Sequence, residues 1–115
     1  MEVTPQLGIG QIVYLEKENT RLYAEVVQIV VSRQLCWVRP LLLIVVVNEE
    51  ISTTDLRNTS DLLWSLSSFK AAIDTDVITW LAPLMAGEPK PHMIPNARQK
   101  LHKFINNMWE VKHES

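Results

Sequence analysis

The stretch Leu35–Val47, LCWVRPLLLIVVV, decides the fold of this chain because it ends in the longest purely aliphatic run of the sequence, LLLIVVV. Its β-branched and aromatic residues favour strands over helices. Pro40 has no N–H to donate, so it must lie at a bend, a bulge or a sheet edge, and we expect it to divide the stretch into two strand segments. Apolar side chains fall on both faces of the stretch, which predicts a sheet that is covered on both sides.

Two strand-like runs precede this stretch. Gln11–Glu16 and Arg21–Val31 are rich in Val, Ile, Leu and Tyr, and the polar turn between them has a length common in hairpins. After the aliphatic run, the polar segment Asn48–Ser60 is predicted to be an exposed loop, and Asp61–Ser65 a short final strand. Residues 8–66 are therefore predicted to form a small bent antiparallel sheet or an SH3-like barrel.

The C-terminal part of the chain changes to helical periodicity. Residues 67–86 are predicted to be a short helix region, with a helix at about 75–86 that Asp74 or Thr75 caps. Residues 87–95 form a proline-rich connector, and residues 96–111 an amphipathic C-terminal helix. The side chains that these helices are expected to bury are Leu81, Leu101, Phe104, Ile105 and Met108. Residues 1–115 are thus predicted to form a single α+β domain, a sheet followed by two helices.

Composition narrows the class of protein. The chain has 115 residues, of which 47% are hydrophobic, and this suits one globular domain. Its single cysteine, Cys36, excludes an intramolecular disulfide and a multi-cysteine metal site. The first ten residues lack the apolar segment of a signal peptide, and LLLIVVV is shorter than the roughly 20 residues of a transmembrane helix. These features predict a cytoplasmic protein without membrane contact.

Charge is distributed unevenly along the chain. Residues 1–88 hold eleven acidic and six basic residues, a net charge of −5, whereas residues 89–115 hold two acidic and five basic residues, a net charge of +3. Arg98, Lys100 and Lys103 of the predicted last helix, beside His102, form a basic face that is a candidate anion or partner contact. Weak nucleic-acid binding through this helix is therefore one functional hypothesis.

Arg39 is the most informative single charge, because it lies inside the apolar block between Val38 and Pro40. A guanidinium in such a place needs a carboxylate or several carbonyl acceptors. Glu25, midway along the preceding strand, is the candidate partner for a structural cross-strand ion pair. The alternative interpretation is that Arg39 contacts an anion or a protein partner.

The sequence offers no constellation for catalysis or metal binding. Cys36 lies in the densest apolar segment with no base nearby in sequence, which is typical of a buried structural cysteine. Asp74 and Asp76 lack the further ligands of a calcium loop. The spacing of a helical metal pair is also absent from the three histidines, His92, His102 and His113. We therefore predict no catalytic residue, no metal site and no cofactor.

Three segments resemble a family of small uncharacterised proteins of cyanobacteria. They are Cys36–Leu43 (CWVRPLLL), Asp55–Trp64 (DLRNTSDLLW) and Phe69–Ile78 (FKAAIDTDVI). The resemblance covers roughly residues 10–85 and implies a small bacterial cytoplasmic protein, with no activity to carry over. The glycine-led first strand and the long second strand also look like those of SH3-like small barrels, a similarity that concerns the fold alone.

These observations favour one class of function over two others. Aliphatic surface on both strand faces predicts a non-catalytic module that binds another protein or associates with itself, with a homodimer covering an exposed LLLIVVV edge. Nucleic-acid binding by the basic helix is the alternative. An enzyme that uses Cys36, Arg39, Asp74 or Asp76 ranks below both.

Overall fold

The computed structural model describes residues 7–88, 90 and 93–113, with side chains up to residue 109. The six strands are β1 (Ile12–Lys17), β2 (Thr20–Val30), β3 (Leu35–Val47), β4 (Glu50–Asp55), β5 (Leu62–Ser65) and β6 (Lys70–Ala71). The helices are α1 (Asp74–Asp76), a π-helical turn (Val77–Leu81), α2 (Ala82–Ala86) and α3 (Ile94–His113). The first three follow one another without a break, and we call them together the 74–86 helix. Short 3₁₀ turns at Val31–Arg33 and Leu66–Ser68 precede β3 and β6.

The strands form one antiparallel sheet in the order β4-β3-β2-β1-β6, and β5 pairs with β3 beyond the end of β4. One edge of β3 pairs with β2, while the other pairs with β4 through residues 42–47 and with β5 through residues 35–38. The predicted α+β class, an antiparallel sheet followed by helices, is confirmed. The LLLIVVV run lies between β2 and β4, so strands of the same chain cover the edge for which a homodimer was considered.

A bulge at Pro40 and Leu41 shifts the register of the long β2–β3 pair. Tyr23 pairs with Leu42, but the next residue of β2, Ala24, pairs with Pro40, so Leu41 is an extra residue in β3. A second shift farther along β2 restores the register. Pro40 therefore lies at a bulge, as its missing N–H requires, and β3 continues through it instead of dividing into two segments.

Each face of the sheet packs against a different helix. The α3 face carries the larger core, in which α3 contributes Ala97, Leu101 and Phe104 to the sheet residues Val13, Leu15, Leu22, Ala24, Val26, Cys36, Val38 and Leu43. On the opposite face, Leu81 of the 74–86 helix packs with Tyr23, Leu41, Leu42 and Ile44. The predicted burial of Leu81, Leu101 and Phe104 is confirmed, and Ile105 and Met108 are half-buried against the α3-face core.

The 74–86 helix owes its irregularity to a π-helical turn. Ala82 donates its backbone N–H to the carbonyl of Val77, five residues earlier, and Pro83 follows with no N–H to donate. Among the apolar side chains of this helix, Leu81 is buried whereas Ile78 and Met85 are exposed. This helix thus covers the sheet with a narrow apolar stripe.

The predicted exposed loop at residues 48–60 is wrong, because it contains β4. Asn48 and Glu49 both have positive φ, the conformation of a two-residue type I′ hairpin turn. The turn returns the chain along β3, where all six residues of β4 find partners. β4 is an edge strand with mostly exposed side chains, which explains its polar sequence EISTTD.

Other boundaries differ by a few residues. β6 lies inside the predicted helix region 67–86, so β5 is not the final strand. The 74–86 helix begins after Ile73 without a side-chain cap, so the predicted capping by Asp74 or Thr75 is wrong. α3 begins at Ile94, within the predicted connector 87–95, because proline at the second position is compatible with a first helical turn.

Arg21 connects the sheet to the 74–86 helix. Its Nε lies 2.7 Å from Oε2 of Glu16, and its Nη1 lies 3.1 Å from the Tyr23 hydroxyl and 3.4 Å from Oδ2 of Asp76. The guanidinium also stacks 4.4 Å from the ring centroid of Tyr14. These hydrogen bonds, with Glu16 first, raise the pKa of Arg21, and burial raises the pKa of the Tyr23 hydroxyl.

We expect Phe104→Ala to lower the free energy of unfolding by about 3–5 kcal/mol, because its side chain is only 4% exposed in the α3-face core. Chemical denaturation followed by circular dichroism measures the change. His102→Ala, on the exposed side of the same helix, serves as the control and should stay within about 0.5 kcal/mol of the parent protein. A small loss for Phe104→Ala would show that α3 does not dock on its own sheet.

Arg21→Met should lower the free energy of unfolding by about 1–2 kcal/mol, since it keeps an apolar stem but removes the bonds to Glu16, Tyr23 and Asp76. Denaturation at low and high salt should show the difference from the parent protein shrinking as salt increases. Arg33→Met, at an exposed turn, is the matched control. Equal effects of the two substitutions would contradict the role of Arg21.

Candidate interaction site

The N-terminal half of β3 buries one face and exposes the other. Cys36 and Val38 point into the α3-face core, so the alternation of a strand places Trp37 and Arg39 on the opposite face. The 74–86 helix packs against the other half of β3, and its core includes neither residue. The side chains of Trp37 and Arg39 are exposed by 38% and 58%.

Asp61 organises this exposed surface. The indole Nε1–H of Trp37 donates to Oδ2 of Asp61 at 3.0 Å, and Nε of Arg39 lies 3.7 Å from Oδ1 of the same carboxylate. Asp61 immediately precedes β5 in sequence, so the pairing of β5 with β3 brings it to this point. One carboxylate thereby holds an aromatic ring and a guanidinium side by side on the surface.

Leu63 completes an apolar strip beside Trp37. It is the register partner of Trp37 across the β3–β5 pair and is 53% exposed. Cross-strand neighbours of this kind have their side chains in contact range on one face of a sheet. We call Trp37, Arg39, Asp61 and Leu63 the Trp37 patch, a surface with an apolar centre and a charged rim.

The structure gives Arg39 a different ion pair from the predicted one. The register places Glu25 directly opposite Arg39, as expected for cross-strand neighbours, but the carboxylate at ion-pair distance is that of Asp61. The prediction of a structural Glu25–Arg39 pair is therefore corrected. The pairing with Asp61 follows from the position of β5, which no local sequence pattern specified.

The predicted basic face of the last helix is divided by the helix geometry. Arg98, Lys100 and Lys103 are all exposed on α3, as is His102. At 100° per residue, Arg98 and His102 lie on one side of the buried stripe, and Lys100 and Lys103 on the other. Lys100 also donates to the Thr54 hydroxyl at 3.2 Å. Nucleic-acid binding through one continuous basic surface thus gains no support and stays a prediction.

The candidate catalytic residues lie in separate parts of the molecule. Cys36 is fully buried, and burial raises the pKa of its thiol. Arg39 lies on the outer face of the same strand, and Asp76 pairs with Arg21 beside Asp74 in the 74–86 helix. No three acidic, cysteine or histidine side chains of residues 7–88, 90 and 93–109 are grouped closely enough to hold a metal ion. His92 and the side chain of His113 lie outside the described part of the chain.

A cavity of about 410 Å³ lies between β5 and α3, and it shares Asp61 with the Trp37 patch. Its wall includes Asp61, Leu62, Leu101, His102 and Ile105. Asp61 and His102 share the cavity, yet the hydrogen bond of the carboxylate is to Trp37. Leu62, Leu101 and Ile105, the apolar residues of this wall, add apolar surface beside β5 on the α3 face.

Sequence reasoning identified Arg39 but missed its three neighbours in the patch. The alternation in Cys36–Arg39 (CWVR) was a usable signal, since a buried Cys36 implies an outward Trp37. Asp61 follows Trp37 by 24 residues, and only the pairing of β5 brings them together. Leu63 had no signal that distinguished it from a core leucine.

Comparison with known proteins adds no relative: no family model, no curated protein and no solved structure matches this chain. The resemblance to small cyanobacterial proteins therefore stays a prediction. No helix within the described residues is long and apolar enough to cross a membrane.

The buried thiol of Cys36 leads to a prediction about alkaline stability. Its raised pKa in the folded protein means that the unfolded chain releases the thiol proton at lower pH. The free energy of unfolding should therefore fall as the pH rises above the ordinary thiol pKa of about 8.5. Denaturation between about pH 7 and 9.5 should show a shallower decline for Cys36→Ala, and Ellman's reagent should react only after unfolding. Equal slopes, or rapid labelling of the folded protein, would contradict this prediction.

Proposed function

We propose that this protein is a non-catalytic interaction module that binds a protein, either another chain or a second copy of itself, through the Trp37 patch. The observation that carries the proposal is an exposed tryptophan held in place by Asp61, on a part of the sheet that no described helix covers. A surface tryptophan with a fixed ring and an adjacent exposed leucine is costly to leave in water and favourable to bury in a contact.

The chemistry of the patch suits protein binding. Tryptophan and arginine are enriched among the residues that contribute most to protein–protein affinity. The bond from Trp37 to Asp61 restricts the ring before a partner arrives, so less conformational entropy is lost on binding. Arg39 and Asp61 at the rim add polar groups that favour a defined orientation of the partner.

The proposal also includes the absence of catalysis, a similarity to SH3-like barrels and a cytoplasmic location. The buried thiol of Cys36 and the dispersed carboxylates support a role without catalysis. The bulged, long β2–β3 pair supports the predicted similarity to SH3-like barrels, although the described strands form an open sheet. A cytoplasmic location and membership of a cyanobacterial family belong to the proposal as predictions from sequence.

Trp37→Ala tests the proposal. It should weaken any association of the protein at least about tenfold, because truncating a central tryptophan removes the anchor of the contact. Sedimentation velocity of the purified protein measures self-association, and tagged parent and variant chains used as paired baits identify partners that depend on Trp37. Ile78→Ala, at an exposed apolar side chain of the 74–86 helix, is the control and should change neither result.

Circular dichroism must first show that both variants are folded. Loss of association in Trp37→Ala with retention in Ile78→Ala would support the proposal. It would be overturned if the parent protein neither self-associates nor retains any partner that Trp37→Ala loses.

A further inference from the structure

β5 has one free edge in the part of the chain that the structure describes. It pairs with β3 on one side, and no described strand pairs with the other side. A free strand edge presents backbone N–H and C=O groups in the arrangement that a further strand requires. The side chains of the Trp37 patch lie on one face of this edge, and Leu62, in the wall of the cavity, lies on the other.

The hydrogen-bond phase of β5 shows which residue faces outward. Leu66 donates its N–H to the carbonyl of Gln34 at 2.9 Å, in the same register in which Trp64 is paired with Cys36. Bonded and non-bonded pairs alternate in an antiparallel ladder, so Leu62 and Trp64 direct their backbone groups to β3. The N–H and C=O of Leu63 therefore point to the free edge, in the middle of the strand.

We propose that a second copy of this chain occupies this edge, with the two β5 strands antiparallel about a two-fold axis at Leu63. This inference rests on the proposed function and names the partner for it. Leu63 then faces Leu63 of the second copy, and the pair exchanges two backbone hydrogen bonds across the axis. In the same register Leu62 faces Trp64 of the second copy, and Asp61 faces Ser65.

The strand can pair with a second copy through apolar contacts without bringing like charges together. On the face of the Trp37 patch, the two Leu63 side chains join the two Trp37 rings into one apolar strip. On the α3 face, Leu62 would lie beside Trp64 of the second copy, and both side chains are half-buried against the α3-face core of their own chains. The two Asp61 carboxylates lie four positions apart along the ladder, about 14 Å, and each already faces its own Arg39.

The edge of β4 is less suited to such pairing. Leu56 donates its N–H to the carbonyl of Leu41, and this phase directs the backbone groups of Ile51, Thr53 and Asp55 outward. A two-fold axis at Thr53 would place the exposed Ile51 opposite Asp55 of the second copy. Arg57 holds that carboxylate through several hydrogen bonds, so an apolar side chain would face an ion pair there.

Paired lysine substitutions distinguish the two edges. Leu63 and Ile51 are exposed by 53% and 52%, so Leu63→Lys and Ile51→Lys remove equivalent side chains from β5 and β4. We expect the purified parent protein to dimerise, Leu63→Lys to raise the dissociation constant at least about tenfold, and Ile51→Lys to leave it within about threefold. Sedimentation equilibrium over a range of concentrations measures each constant, with circular dichroism to confirm folding.

Cross-linking tests the position of the axis. The Cα atoms of Leu63 in the two copies would lie about 5.5 Å apart, so Leu63→Cys should join two chains efficiently with a short bismaleimide, whereas Ile51→Cys should not. The native Cys36 is buried and should not react. A parent protein that stays monomeric, or a dimer that Ile51→Lys disrupts and Leu63→Lys does not, would overturn this inference. If the baits still capture a partner that Trp37→Ala loses, the proposed function survives either result.

Discussion

The extra residue Leu41 in β3 is the constraint on which the rest of the structure depends. Before it, Cys36 and Val38 point to the α3 face, and after it Leu43 and Val45 do. If every residue of β3, including Leu41, alternated regularly between the two faces, Leu43 and Val45 would point to the opposite face instead. Pro40 has no backbone N–H, so no hydrogen-bond donor is left unpaired where the bulge interrupts the β2–β3 pairing. The proline thereby fixes where in the strand the alternation changes.

This shift lets one sheet serve two helices. In the second half of β3, four successive residues from Leu41 to Ile44 are buried, since α3 covers one face and the 74–86 helix covers the other. In the first half, the described elements cover only the α3 face, and Trp37 is exposed on the other. One half of β3 therefore packs into a core on both faces, whereas the other half packs on one face and exposes the other.

Most strands and helices could be predicted from the sequence, whereas most residues of the Trp37 patch could not. Enrichment in β-branched and aromatic residues identified β1, β2 and β3, and helical spacing identified both helical segments. The short strand β5 was also predicted. β4 was missed because an edge strand buries little and can be polar, and the π-helical turn because Pro83 alone does not specify it. Arg39 was identified because it is a charged residue within an apolar segment. The proximity of Asp61 depends on the long-range pairing of β5 with β3, which no local pattern encodes.

The edge strands β4 and β5 differ in how they are protected. β4 carries Asp55 bound to Arg57, and Lys100 reaches it from α3, so charge lies along that edge. β5 is Leu-Leu-Trp-Ser, and the nearby charges, Asp61 and Arg39, are engaged with each other beside it. An edge with apolar side chains on both faces is a liability in a monomer, because any extended chain can pair with it. Pairing of two identical β5 strands, as proposed, would cover the apolar edge and leave the charged edge of β4 exposed to solvent.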